Sequence, residues 1–280
     1  MIRLVATDVD GTLVPPGGTV PEENRAALRE AAARGVAIAL ATVRIRRTAL
    51  RIQSELGIPV HMVCQAGATV FAADGTLLRE RTIPLDLARE IAAFADASGF
   101  GVLATVGEEH RRGPGHENAL PSDRPPQAEA PTNLSMIDAP PTRFMVTGAR
   151  GVELLRERFA GAPLRIVRHY RADGSILDAA VTAAGATKES GLSALLDHLG
   201  VAPDAVLAIG DAESDAAMLR FAGVGVAVGD ADPPAREAAD WIAPAAAAFG
   251  VAAAIRKFAY GTRPESPGLD PPAPGGPRAR

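Results

Sequence analysis

"TDVDGTL", residues 7–13, follows the largely apolar opening Ile2-Arg3-Leu4-Val5-Ala6 and decides how the rest of the chain is read. A strand ending here puts the side chains of Asp8 and Asp10 on one face, because side chains alternate with period two. Two carboxylates held on one face repel unless a cation joins them or one keeps its proton. The stretch therefore marks either a cation site or a pair of reacting carboxylates at the end of a strand.

Outward from it, strand and helix signals alternate. Pro21 opens a helix with Glu22 and Glu23 in its first turn, and Gly35 closes it. Residues 36–40 are a second apolar strand, Thr42-Val43-Arg44 leads into a helix reaching Leu56, and 60–64 form a third strand. Short strands separated by helices predict a parallel sheet covered on both faces. The pattern then changes. Residues 69–81 read as a hairpin about Asp74-Gly75, 84–98 as an amphipathic helix, 102–106 as a strand and the polar, Gly/Pro-rich 107–131 as a loop. A strand at 143–147, a helix at 152–159 and strands near 164–169 and 175–179 complete an α+β block with an antiparallel sheet. Alternation resumes with a helix at 187–199, a strand at 205–209, a helix at 213–221 and a strand at 224–228. The expected class is α/β: a parallel-sheet core (1–82 and 184–261) interrupted by an inserted α+β domain (83–183). The Pro/Gly-dominated stretch 262–280 reads as a disordered tail.

Bulk properties narrow the function classes. The 280 residues carry a net charge of −4, with 47% hydrophobic and 22% charged residues, which speaks against general affinity for nucleic acid or an anionic membrane. The basic cluster Arg44, Arg46, Arg47 and Arg51 reads mostly as a solvated helix face. Cys64 is the single cysteine, cannot form an internal disulfide, and reads as a buried strand residue. The Ala-rich run 243–255 is too short to span a bilayer and is broken by Pro244 and Gly250. The chain opens on a strand rather than on a signal-peptide pattern. These features predict a cytoplasmic protein with neither nucleic-acid nor membrane partners, and none specifies an oligomeric state.

Four segments fall where strands end: Asp8–Leu13, Ala41–Arg44, Lys188 at a helix start, and "GDAESDAAML" at 210–219. Ligands of open α/β sheets bind outside the carboxyl ends of the strands. Together the segments offer Asp8, Asp10, Asp211 and Asp215, a threonine hydroxyl and a lysine. That donor set suits a hard cation such as Mg²⁺, with the lysine left to balance a phosphate.

In order and spacing these segments resemble the motifs of the haloacid dehalogenase-like (HAD) hydrolases. The large insertion between the second and third is similar to that of the Cof-type, or IIB, subgroup. The resemblance implies a Rossmann-like core with an inserted cap, and it implies roles. Asp8 would be the nucleophile and Asp10 the acid and base. Gly11 and Thr12 would shape a turn whose N–H groups reach phosphate. Thr42, Val43 and Lys188 would sit on the phosphoryl group. Asp8, Asp10 through its carbonyl, Asp211 and Asp215 would hold or support Mg²⁺, with Arg44 and Ser214 beside them. The chain departs from the family pattern at Val43, which replaces a glycine, at Ser214, which replaces an asparagine, and at Asp230, which adds a negative charge. The implied function is a Mg²⁺-dependent phosphatase acting on a small phosphorylated metabolite, with sugar phosphates among the candidates, and the cap as a lid. His110, Arg111, Arg112 and His116 are candidate specificity groups. A phosphomutase, or a catalytically weak binding or regulatory protein on the same fold, stands as the alternative.

Overall fold

The structure is a computed structural model, and it describes residues 1–116, 129–171 and 173–260. The expected tail at 262–280 lies outside the described residues. In chain order the strands are β1 (Leu4–Thr7), β2 (Ala37–Ala41), β3 (His61–Cys64), β4 (Thr69–Phe71), β5 (Leu77–Glu80), β6 (Val102–Val106), β7 (Glu109–Arg112), β8 (Arg143–Thr147), β9 (Leu164–Tyr170), β10 (Ile176–Ala183), β11 (Val206–Gly210), β12 (Val224–Ala227) and β13 (Trp241–Ile242). The α-helices are α1 (Glu22–Ala33), α2 (Arg46–Leu56), α3 (Leu85–Ser98), α4 (Ala149–Arg158), α5 (Lys188–Leu199), α6 (Ala216–Phe221), α7 (Pro233–Ala238) and α8 (Gly250–Phe258).

The first sheet has eight strands in the order β13-β12-β11-β1-β2-β3-β4-β5. The pairs from β13 to β3 are parallel, and β4 and β5 add an antiparallel edge. Its central strands are near-continuous apolar runs, and β1 and β11 are buried along their whole lengths, as a sheet covered on both faces requires. From β1 the chain winds through β2 and β3 to one side, and later through β11, β12 and β13 to the other. The order thus reverses at β1, and the crevice beyond its carboxyl end is the natural ligand position.

Between β5 and α5 the chain builds a second, antiparallel sheet of five strands, β7-β6-β8-β10-β9. It encloses a core of its own with α3 and α4, including Ile91, Val102, Phe144, Val146, Leu155 and Val181. The α/β core with an inserted α+β cap is therefore the fold. One detail differs from expectation. The span expected to be loop after Val106 contains β7, which pairs antiparallel with β6 through Leu103↔Arg112 and Thr105↔His110. Its sequence, Glu-His-Arg-Arg, lacks apolar alternation because it is an edge strand. The expected helix at 213–221 is a 3₁₀ turn, Glu213–Asp215, followed by α6.

The sharp turn after β3 positions the cap over the core. Gln65, Ala66 and Gly67 all have left-handed backbone, at φ 52°, 57° and 96°. A Cβ at Gly67 would lie 1.9 Å from the Thr187 carbonyl oxygen, so glycine is what lets this turn pass the start of α5. Gly67→Ala is expected to lower unfolding free energy by about 2 kcal/mol or more, measured by urea denaturation. Gly161→Ala, at φ 86° with nothing within 4 Å of the added Cβ, carries the backbone cost alone and should lose clearly less.

Candidate active site

The candidate side chains issue from strand ends and from one helix start. Asp8 follows β1, Thr42 follows β2, Gln65 follows β3 and Asp211 follows β11, while Lys188 is the first residue of α5. That helix starts where it does because Thr187 and Ser190 form a reciprocal cap: the Thr187 hydroxyl accepts from the Ser190 N–H, and the Ser190 hydroxyl accepts from the Thr187 N–H.

Lys188 is buried, and its Nζ donates to Asp8 Oδ1 at 2.5 Å and to Asp215 Oδ1 at 2.6 Å. Asp215 is buried and its other oxygen accepts the backbone N–H groups of Asp211 and Ala212, at 3.2 and 3.0 Å. Both Asp215 oxygens are thus engaged, so this residue fixes the lysine and the loop after β11. Asp211 Oδ1 accepts from the Thr12 hydroxyl at 2.5 Å. The carboxylates of Asp8, Asp211 and Asp215 offer oxygens within 4.8 Å of one another.

Burial drives the electrostatics of the cluster. It pushes the Asp8 carboxyl well above its ordinary range; Lys188 pulls the other way, while Asp215 and Asp211 add to the rise. Burial also raises Asp211, against the hydrogen bond from Thr12. Burial opposes the charge on Lys188, but its two carboxylates outweigh that and hold the ammonium above its usual range. Three carboxylates facing one ammonium leave unrelieved negative charge, and their oxygen donors suit a hard divalent cation.

The remaining expected residues fall into place around this cluster. Gly11, at φ 91°, passes so close to Asp211 that a Cβ would sit 2.4 Å from its Oδ2. The Gly11 N–H donates to Val14 O, so it closes the turn and is not directed at a ligand. The Thr42 hydroxyl is buried and accepts from the Arg44 N–H at 3.1 Å. Val43 adopts no left-handed backbone, so a β-branched residue is unstrained there, and its carbonyl accepts from Arg143 of the cap at 2.8 Å. Arg44 grips Asp10 with two hydrogen bonds of 2.8 and 2.5 Å, which turns the Asp10 side chain away from the carboxylate cluster. Of the basic cluster expected to be mostly solvated, Arg44 is therefore part of the site, and Arg46 lies over the Phe71 ring at 4.8 Å. Ser214 lines the cavity. Asp230 instead accepts from the Ala246 N–H, and it is Asp232 that faces the cavity. Cys64 is buried, which pushes its thiol up to about 12.

A cavity of about 480 Å³ lies over the cluster, between core and cap. Its floor includes Asp8, Asp10, Lys188 and Asp215, and its roof includes Arg143, Arg165, His169 and Thr182 of the cap. The roof is fastened by Arg143 to Val43 and by the Thr142 hydroxyl, 2.5 Å from Gln65 Oε1. The four candidate specificity groups do not line it. His110 is buried against Thr105, Arg111 pairs with Asp138, Arg112 with Glu129, and His116 is buried. The basic residues that do face the cavity, on β8 and β9, escaped sequence reading. Alternation identifies their strands, but only the pairing of distant strands shows which face looks down on Asp8.

Comparison with known proteins agrees with this geometry. The family model for haloacid dehalogenase-like hydrolases matches residues 5–255. The chain is 27% identical over 259 residues to a 5-amino-6-(5-phospho-D-ribitylamino)uracil phosphatase of Bacillus subtilis, covering 92% of this chain and 96% of that one. It is 29% identical over 251 residues to an HMP-PP phosphatase of Serratia proteamaculans, covering 83% and 86%. A solved haloacid dehalogenase-like hydrolase of Bacteroides thetaiotaomicron superposes with a TM-score of 0.78 at 23% identity, covering 92% and 99%. The chain belongs to the haloacid dehalogenase-like hydrolases.

Lys188→Met is expected to cost about 3–5 kcal/mol in denaturant unfolding, because it strands Asp8 and Asp215 without a counter-charge. Adding Asp215→Asn to that variant should recover part of the loss.

Proposed function

We propose that this haloacid dehalogenase-like hydrolase is a Mg²⁺-dependent phosphatase of small phosphorylated metabolites. It would act through an aspartyl-phosphate on Asp8, under a lid made by the insert between residues 83 and 183. The observation that carries the reading is Asp8 itself: a buried carboxylate at a strand end, held at 2.5 Å by a buried lysine and grouped with two further carboxylates. A phosphomonoester is anionic, so a carboxylate nucleophile approaches it only where positive charge offsets the repulsion.

Asp8 and Asp211 would hold the Mg²⁺, with Asp215 supporting from behind. When bound, the ion supplies positive charge to the phosphoryl oxygens and to the carboxylates around it. The chain's own residues do the rest. Lys188 orients the Asp8 carboxylate and faces the transferring group. Asp8 attacks phosphorus in line, forming the acyl-phosphate bond as the ester oxygen departs. Asp10, at the cavity edge, gives that oxygen its proton; for this the carboxyl turns from the Arg44 fork towards the cavity that both aspartates line. The same carboxylate then takes a proton from the water that releases phosphate and restores Asp8. Thr42, Val43 and Thr12 shape the loops beside the phosphoryl group, and the cap excludes bulk water.

On a panel of phosphomonoesters with Mg²⁺, Asp8→Asn should lose about a thousandfold or more in kcat/KM relative to the wild type. Equal activity in both purified proteins would refute the assignment. The pH dependence of metal binding is a second test. The raised carboxyls of Asp8 and Asp211 take up protons more readily in the folded than in the unfolded chain, so ionising them erodes stability as pH rises through that range. Mg²⁺ binds the ionised forms and reverses this cost. The gain in melting temperature on adding Mg²⁺ should therefore be larger at about pH 7.5 than at about pH 5. An equal gain at both would argue that other groups hold the ion.

A further inference from the structure

The cap sheet has two unlike faces, and the second one has a chemistry of its own. Along β8 and β10, Phe144, Val146, Ala179 and Val181 point to the helix side and are buried in the cap core. The alternate residues point to the cavity. The strand register aligns three of them in one transverse row: Arg143 on β8 pairs with Thr182 on β10, and Thr182 pairs with Arg165 on β9. Adjacent strands lie about 4.8 Å apart, so the row places two guanidinium-bearing residues on either side of one hydroxyl, roughly 10 Å from end to end. All three line the cavity above Asp8.

The state of each member points to a ligand. The Thr182 hydroxyl is buried and, among the described residues, has no hydrogen-bond partner. Arg165 is half-buried and forms no ion pair or hydrogen bond among the described residues; the charge it feels is that of Glu213, on the loop after β11. Arg143 fastens the row to the core through the Val43 carbonyl. Among the described residues, the cap lines the cavity with Arg143, Arg165, Arg168 and His169 and with no carboxylate. Arg168 reaches to Glu153 on α4, and His169 Nδ1 lies 2.5 Å from Asp178 Oδ1, so these two already have acidic neighbours. The cavity is therefore bipolar. Its floor is acidic and suits a cation with the scissile phosphate, and its roof is basic at the Arg143–Thr182–Arg165 row.

We propose that this row is a second anion subsite, and that the substrate is a small phosphomonoester carrying another anionic oxygen group, a carboxylate or a second phosphate, at the end away from the scissile phosphate. Two guanidinium groups and a hydroxyl donate in the manner that planar or tetrahedral oxyanions accept. The cavity of about 480 Å³ accommodates a molecule of that size. The proposal rests on the phosphatase reading above for its scissile end, whereas the row itself stands on the strand register.

The test uses matched pairs that differ only in the second anion: 3-phosphoglycerate against glycerol 3-phosphate for a carboxylate, and fructose 1,6-bisphosphate against fructose 1-phosphate for a phosphate. The wild type should favour the doubly anionic member of one pair by about tenfold or more in kcat/KM, and the pair that responds identifies the group. Arg165→Gln should collapse that preference about tenfold, chiefly through KM. Arg156→Gln removes the same charge from an exposed position on α4 and should keep the preference. Turnover of both members by the wild type without preference, or an equal loss on both members in Arg165→Gln, would overturn the subsite. Calorimetric titration of the same ligands into Asp8→Asn with Mg²⁺ reads the row without turnover. Discrimination by binding with an inactive wild type would sink the phosphatase reading and leave the subsite standing. Absence of discrimination in both measurements sinks the subsite.

Discussion

The ion triplet Asp8–Lys188–Asp215 is the constraint on which the site depends. Its members lie far apart in sequence, with the whole cap inserted between Asp8 and Lys188. A buried ammonium is costly unless carboxylates meet it, so the end of β1, the start of α5 and the loop after β11 have to converge for any of the three to be tolerated. The convergence leaves two more carboxylates than the single lysine can neutralise, because the half-buried Asp211 joins Asp8 and Asp215. The oxygen donors of that surplus suit the hard cation proposed above. Gly11 and Gly67 serve the same convergence: one lets Asp211 approach the turn after Asp8, the other lets the turn after β3 pass the start of α5.

The cap answers to a different constraint. An antiparallel sheet with helices on one side buries one set of alternate residues and presents the other set. Here the buried set is aliphatic and aromatic, and the presented set brings Arg143, Arg165 and Thr182, beside the small apolar Val167 and Ala180, to the cavity. Two polar attachments, Arg143 to Val43 and Thr142 to Gln65, join cap to core beside the cavity. Such contacts break and re-form at low cost compared with an apolar interface. They hold the roof in place over Asp8.

Much of this was legible in the chain. The strand-end aspartates, Lys188 and the acidic loop after β11 are recognisable because period-two strands and capped helices constrain where a side chain emerges. The element order was readable for the same reason, and even the departures from the family pattern could be located. Their consequences could not. Val43 reads as a β-branched replacement for glycine, yet it adopts no left-handed backbone, and the carbonyl it presents is what Arg143 grips. Asp230 reads as extra charge near the site, yet it serves the Ala246 turn. Edge strand β7 escaped notice because Glu-His-Arg-Arg carries no apolar alternation, and with it went the correct partners of Arg111 and Arg112.

The sequence by itself determined the chemistry of the floor: which carboxylates and which lysine stand at the ends of which strands. Local periodicity and capping are enough to place a residue at a strand end. Only the tertiary structure decided the chemistry of the roof. Whether Arg165 or Arg111 looks down on Asp8 depends on the register between strands many residues apart, and a one-residue slip would turn each to the opposite face. That register is set by the burial of Phe144, Val146, Ala179 and Val181 against the cap helices, a condition satisfied only when the whole cap is assembled.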